Sequence, residues 1–174
     1  FFNKLLDEAQ SQAGSLTLNN ELISIETLVE QIDDTMKPLA EKKQLQFEID
    51  VDETMPCKIS GDVDRLKQMI NNLVSNSIKF TDQGSIALVI QRVEEQQWSI
   101  EVKDTGIGIP PEAQSHIFEA FYQVDGSTTR PSNRGVGLGL SIVKQLTTLM
   151  GGNISVQSSL TDGTTITITL PLIL

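Results

Sequence analysis

The apolar residues change period along the chain, and that change constrains the fold most. Ile25, Leu28, Val29, Ile32, Met36, Leu39 and Ala40 recur at helical spacing. Leu45, Phe47, Ile49 and Val51 then alternate with polar residues, as in a strand with one wet face. A chain that switches between these periods lays amphipathic helices on a half-buried sheet. Ser24 suits the N-cap of the first such helix, and Pro38 is placed to kink it late. Residues 15–19 (SLTLN) read as a short strand, and Cys57–Ser60 as another before Gly61. A helix starts at Asp62 or Asp64 and runs to Phe80. Residues 85–93 and 97–103 form two strands joined by the turn Glu94-Glu95-Gln96. The stretch 104–135 is irregular, with one short helical piece near Glu112–Phe121. Residues 136–150 read as helix, ended by Gly151-Gly152, and 153–158 and 164–170 as strands. The expected fold is an α/β (α+β) two-layer sandwich. Its sheet is mixed, mainly antiparallel, with about five strands and the helices on one face.

Composition narrows the function. The 174 residues carry a formal net charge of −10, with a pI near 4.5. Duplex affinity rests on Lys and Arg neutralising phosphates, so a general nucleic-acid binder is excluded, and a basic membrane-surface module is disfavoured. Cys57 is the only cysteine, which leaves no intrachain disulfide and no cysteine metal cluster and fits a reducing compartment. No apolar run approaches the ~20 residues of a transmembrane helix. The opening Phe1-Phe2 and the fading apolar pattern of 1–13 read as a fragment beginning in the tail of an upstream helix, closed by Gly14.

Three constellations carry chemistry. On the helix 64–80, at 100° per residue, Asn76 lies ~40° from Asn72, Lys79 and Arg65 ~20° and Gln68 ~40°. Met69, Phe80, Leu73, Leu66, Ile70 and Val74 fill the adjoining arc. An ordinary solvated face is Glu- and Lys-rich, and interior Asn is a poor helix former. Two Asn with a Lys on one stripe point instead to oxygen ligands and a phosphate partner. Second, Asp104-Thr105-Gly106-Ile107-Gly108-Ile109-Pro110 follows a strand. Its glycines let backbone approach a ligand while a carboxylate accepts a hydrogen bond, although a plain tight turn has the same spacing. Third, Gly135-Val136-Gly137-Leu138-Gly139-Leu140 runs into a helix. Such a loop offers backbone N–H groups and the positive helix end to an anion, or serves as a simple hinge. Neither glycine run is a dinucleotide fingerprint or a Walker A loop.

Taken in this order, the three strongly resemble the ATP-binding catalytic domain of bacterial sensor histidine kinases. That domain belongs to a wider superfamily with the gyrase, heat-shock chaperone and mismatch-repair ATPases. The resembling segments are 62–81 (DVDRLKQMINNLVSNSIKFT), 102–110 (VKDTGIGIP), 117–130 (IFEAFYQVDGSTTR), 134–152 and 162–172. With the fitting segment 16–60 they span nearly the whole chain, and FYQVDGSTTR is most like hybrid kinases with a downstream receiver.

The resemblance implies a role for each site residue. Asn76 would coordinate Mg²⁺ bridging the ATP phosphates, assisted by Asn72, and Lys79 would contact those phosphates. Phe80 would lie near the adenine, and Asp104 would accept from its amino group. Gly106, Gly108 and Ile109 would bring backbone onto the nucleotide. Gly135, Gly137, Leu138, Gly139 and Leu140 would present the phosphate-facing helix entry. Thr164 would support the adenine end through its hydroxyl or a bound water. Residues 110–134 would be an ATP lid, with Arg130 a phosphate contact. Residues 1–14 would be the tail of a dimerisation hairpin, and 15–174 the ATP-binding domain. Many relatives have Gly and Thr where this chain has Arg134 and Val136. Arg134 reads equally as a phosphate contact or a solvated cation.

Full kinases carry a phosphoacceptor His on the hairpin. The only histidine here, His116, stands where the family does not use one. The expected activity is therefore protein-histidine kinase catalysis on a histidine from a separate domain. The expected cofactors are ATP and Mg. The expected partners are the histidine-bearing dimerisation domain and a receiver or response regulator, with no nucleic acid and no direct membrane contact. The fragment is expected to be a monomer from a homodimeric parent. It is expected to be cytoplasmic, with an inner (plasma) membrane anchor open for the parent. A superfamily ATPase would need a catalytic Glu on the Asn-bearing helix, which has none between Asp62 and Thr81. An ATP-binding pseudokinase or regulatory module is the remaining alternative, against which the intact motifs argue.

Overall fold

The computed structural model describes residues 17–124 and 137–174. Strand β1 (Glu21–Ser24) leads into helix α1 (Ile25–Lys42), followed by β2 (Gln46–Val51) and β3 (Lys58–Gly61). Helix α2 (Val63–Phe80) precedes the hairpin β4 (Ser85–Glu94) and β5 (Gln97–Asp104). A single turn α3 (Pro111–Gln114), helix α4 (Gly139–Leu149) and a second hairpin, β6 (Asn153–Ser159) and β7 (Gly163–Pro171), complete the order. Five strands form one sheet in the order β2-β4-β5-β7-β6. Only β2 and β4 run parallel, joined through α2, so the sheet is mixed and mainly antiparallel as expected. β1 and β3 form a separate two-stranded ribbon.

The helices bury one face against this sheet. Leu28, Ile32, Met36 and Ala40 of α1, Leu66, Met69, Ile70, Leu73 and Val74 of α2, and Ile142, Val143 and Leu146 of α4 share one core. They meet Ile86, Leu88 and Ile90 of β4, Ile100 and Val102 of β5, and Ile166 and Ile168 of β7, which alternate along their strands. Ser24 caps α1, accepting from the Thr27 N–H at 3.3 Å. Pro38 does not end α1. It lies on the exposed side of the helix, as does Asp34, whose carbonyl it leaves without its helical donor.

Four sequence expectations need correction. The first strand is 21–24, because only those residues pair with Lys58–Gly61, with Ile23 opposite Ile59. Asn19, inside the expected strand, gives its N–H to the Asp62 carboxylate instead. The helical piece at 112–121 shrinks to 111–114. Successive tight turns follow, and Phe121 has a φ of +65°, which no α-helix accommodates. The last helix begins at Gly139, because Gly137 has a φ of +79°. Phe80 and Leu39 are not core residues, each being 46% exposed. Residues 1–14 lie outside the described residues, as do Ser15 and Leu16 of the expected strand at 15–19, and Thr17, Leu18 and Asn19 form no strand.

Candidate functional site

The polar stripe of α2 survives folding and faces the start of α4. Asp62 caps α2 by accepting from the Arg65 N–H at 3.0 Å. Asn72 is buried and Asn76 half-buried. A Cβ at Gly139 would stand 3.8 Å from both Asn72 Oδ1 and Asn76 Nδ2, so the first turn of α4 lies against the amide pair. That turn is capped by Leu138, which offers no side-chain acceptor to its N–H groups. Leu138 is buried and Leu140 half-buried, which fixes the entry of the helix on the core. The first turn of an 11-residue helix, whose N–H groups have no acceptor within the helix and whose end is positive, therefore lies against two amides. Asn72 Nδ2 and Asn71 Oδ1 are buried without a hydrogen-bond partner among the described residues. Lys79 follows on the same stripe, half-buried, its ammonium 4.8 Å from the centroid of the Phe80 ring. Desolvation pushes its pKa below the ordinary lysine value.

Asp104 forms the second half of the site. It ends β5 beside Thr164 of β7 and Ile86 of β4, and only 7% of it is exposed. Oδ2 accepts from Ser77 of α2 at 2.8 Å. Oδ1 accepts from the Gly106 N–H at 2.9 Å and the Thr164 N–H at 3.3 Å. A carboxylate has about four lone-pair sites, so acceptor capacity remains. Thr81 Oγ1 is buried without a hydrogen-bond partner among the described residues. A Cβ at Gly106 would lie 2.6 Å from the Phe80 carbonyl and 2.9 Å from both Asp104 Oδ1 and Thr81 Oγ1. Only glycine lets the loop close there.

The loop after Asp104 is clipped to the second hairpin. The Ile109 N–H donates to Ser158 Oγ at 2.8 Å, and Ser158 Oγ is bonded in turn to the Gly163 carbonyl and to Thr164 Oγ1. Gln114 Nε2 donates to the carbonyls of Ile109 and Ser158, both at 2.9 Å. Gly108 has a φ of +70°, and a Cβ there would stand 1.9 Å from the Ser159 carbonyl oxygen. The hydroxyl of Thr164 is thus engaged with Ser158, while its backbone N–H reaches Asp104.

Asn72, Asn76, Lys79, Phe80, Asp104, Gly106, Gly108, Ile109, Gly137, Leu138, Gly139, Leu140 and Thr164 all lie within the described residues. Of these, Asn72, Asn76 and Gly139 form one contact group, and Phe80, Asp104, Gly106 and Thr164 another, with Lys79 stacked on Phe80 between them. Gly137 contacts the Phe121 backbone rather than these groups. Arg130, Arg134, Gly135 and residues 125–134 of the expected lid lie outside the described residues, which take in 110–124 of it. His116 is exposed and bonds Glu119 at 2.8 Å, away from both groups. Sequence reasoning missed Ser77, Thr81, Gln114, Ser158 and Gly163 as builders of the site. Ser and Gln are common enough that only the fold singles these out. Among the described residues no three of His, Cys, Asp or Glu are grouped to hold a metal. An open groove of about 730 Å³ between α1 and β2 shares no residue with the cluster. Among the described residues no helix is long and apolar enough to cross a membrane.

Comparison with known proteins agrees with this geometry. A family profile described as histidine kinase-, DNA gyrase B- and HSP90-like ATPase matches residues 61–174. The chain is 38% identical to hybrid signal transduction histidine kinase D of Dictyostelium discoideum, over 98% of its own length and 11% of that protein. It is 40% identical to the sensor protein GacS of Pseudomonas syringae, over 98% of its length and 19% of that protein. Among solved structures, full-length ShkA in complex with AMPPNP superposes with a TM-score of 0.88 at 33% identity, over 98% of this chain and 35% of that one. The chain thus spans less than a fifth of either kinase matched by sequence. The interlocked Asn helix, buried Asp and uncapped glycine-entry helix, with these matches, show that the chain belongs to the histidine kinase-, gyrase- and HSP90-like ATPase family, as an ATP-binding catalytic domain of the two-component histidine kinase type.

Proposed function

We propose that this domain holds Mg-ATP across the two contact groups and, within a longer protein, delivers the γ-phosphoryl group to a histidine on a separate dimerisation domain. The observation that carries the reading is the meeting of the uncapped N-terminus of α4 with Asn72 and Asn76. Orphan N–H donors, a positive helix end and two amides suit a polyphosphate, and an amide oxygen plus phosphate and water oxygens suits Mg²⁺. The buried, unpartnered Asn72 Nδ2 is a donor waiting for an acceptor of that kind. When bound, Mg²⁺ would supply charge neutralisation on the phosphates. Asn76 would present its oxygen to the ion, Asn72 would brace it, and Lys79 would offer a cation to the phosphate oxygens. Asp104, with acceptor capacity spare, would read the exocyclic amine of adenine and reject the 6-oxo group of guanine. Gly106, Gly108 and Ile109 would close backbone on the base. Arg130, Gly135 and the expected lid 110–134 complete the proposed phosphate side. Phosphoryl transfer is mostly positioning and charge neutralisation, and the nucleophile comes from the partner hairpin.

The hybrid relatives support a receiver domain or response regulator as the downstream acceptor. A cytoplasmic setting, a monomeric fragment and a homodimeric parent follow from the same reading. The absence of Glu from α2 disfavours a hydrolytic ATPase. Asn76→Ala is expected to weaken Mg-ATP binding about thirtyfold or more, in line with loss of an interaction to a charged group. It should also stop phosphorylation of an added histidine-bearing hairpin. Calorimetry and a radiolabel transfer assay read the two effects, and unchanged transfer by the variant would rule out the assignment.

Lys79 supplies a pH signature. Burial lowers its pKa in the free domain. A bound polyphosphate favours the ammonium and raises it again. Binding should therefore take up a proton in the window between the depressed value of the free domain and the raised value of the complex. Affinity should fall as pH rises through that window. Titrations in two buffers of different ionisation heat, near neutrality and in the alkaline range, measure the uptake. Lys79→Met should abolish it.

A further inference from the structure

We infer that Lys43, outside every motif above, is a positioning residue for the nucleotide site, an inference that rests on the nucleotide reading of that site. Lys43 is the C-cap of α1, in the turn that closes it. Its own N–H donates to the Ala40 carbonyl at 2.9 Å, the N–H of Gln44, at a φ of +60°, donates to the Glu41 carbonyl at 2.8 Å, and Leu45 is buried, so the base of the side chain is fixed. From there the ammonium crosses to the C-terminal end of α2. It donates to the carbonyl of Ile78 at 2.7 Å, of Thr81 at 2.9 Å and of Lys79 at 3.3 Å. Asp82 lies 3.9 Å away.

The end of α2 then has no orphan carbonyl among five in a row. Ser77 O accepts from the Thr81 N–H and Phe80 O from the Ile107 N–H, while Lys43 serves Ile78, Lys79 and Thr81. An ammonium has three donors, and three carbonyls use them. A cation here also opposes the negative end of the helix dipole. What it holds is the peptide frame of Lys79 and Phe80, with Thr81 beyond and Ser77, the partner of Asp104, one turn before. Lys79 and the Asp104 contact group depend on that turn: Lys79 projects from it, and its Phe80 carbonyl anchors the loop of Gly106 and Gly108. A methionine of similar length would leave the three carbonyls to water and let the turn fray, which blurs the placement of Lys79 and of the loop.

The test compares the parent with Lys43→Met and Lys43→Arg, well below the thermal midpoint of the weakest variant. Lys43→Met should bind Mg-ATP about tenfold more weakly. It should shift the amide resonances of Lys79, Phe80 and Ile107 while leaving those of β2 in place. Lys43→Arg keeps charge and donors and should recover most of the affinity. A Lys43→Met protein that is less heat-stable but binds Mg-ATP as the parent does would make Lys43 a fold staple only and overturn the inference. A parent that binds no Mg-ATP would overturn the site reading, and this inference with it. If Lys43→Met does not fold, Lys43→Gln, which keeps neutral N–H donors, carries the same comparison.

Discussion

Asp104→Ala should remove Mg-ATP binding at any accessible concentration, a loss of at least about a hundredfold, or roughly 2.8 kcal/mol. The size follows from the network. The carboxylate is buried and accepts from Ser77, Gly106 and Thr164 while keeping capacity for a ligand donor. Hydrogen bonds to a charged group contribute about 1.5–3 kcal/mol each. Alanine removes the ligand bond and strands Ser77 Oγ and two backbone N–H groups beside the base. Asp104→Asn separates recognition from folding. Its one oxygen can serve Gly106 and Thr164, while its NH₂ faces Ser77, whose hydroxyl can turn to accept. That variant should melt close to the parent yet bind nearly as weakly as alanine, because it offers a donor to the amine of adenine. Calorimetry paired with thermal denaturation reads both. Parent-like affinity in the folded Asp104→Asn protein would exclude base recognition by this carboxylate.

Gly163→Ala should be among the most destabilising single changes in the domain, costing about 3 kcal/mol or more. Gly163 has a φ of +85°, and a Cβ there would lie 2.0 Å from the backbone oxygen of Asp104 and 2.9 Å from Thr105 Cα. Both are backbone atoms, at the end of the central strand β5 and just past it, so nothing flexible can yield. Gly151→Ala is the control. Its φ is +73°, but a Cβ meets only the Pro171 ring at 3.6 Å. It should cost about 1 kcal/mol, the strain of the left-handed backbone alone. Urea denaturation measures both. Equal losses would mean that the β5 contact is not what makes Gly163 indispensable. At equal folded fraction, Gly163→Ala should also bind nucleotide poorly, because relief of the clash moves Asp104.

The switch between helical and strand periods was sufficient for the two-layer plan. An amphipathic helix and a half-wet strand each bury one face and have few ways to share a core. Asn72, Asn76 and Lys79 could be grouped by arithmetic because an α-helix fixes angles within one element. Asp104 and its glycines were weak alone, since a tight turn has the same spacing, and gained meaning from their order between the Asn-bearing helix and the second glycine run. Boundaries were less legible where a partner decides them. The first strand lies at 21–24 because β3 is there to pair with it, and the helical piece near 112–121 breaks into tight turns after Gln114, which propensity does not foresee.

What the sequence determined by itself was everything carried by periodicity and local chemistry: the layers, the polar stripe of α2, the special glycines and the resemblance built on them. Only the tertiary structure decided the contacts between elements. It brought Gly139 of α4 against Asn72 and Asn76, Ser77 onto Asp104, Ser158 under Ile109 and Lys43 onto the carbonyls ending α2. The physical reason is separation along the chain. Ser77 and Asp104 stand 27 residues apart, and Lys43 and Ile78 stand 35 apart. A common serine or lysine acquires such a role only when sheet register and helix packing set its distance to a partner.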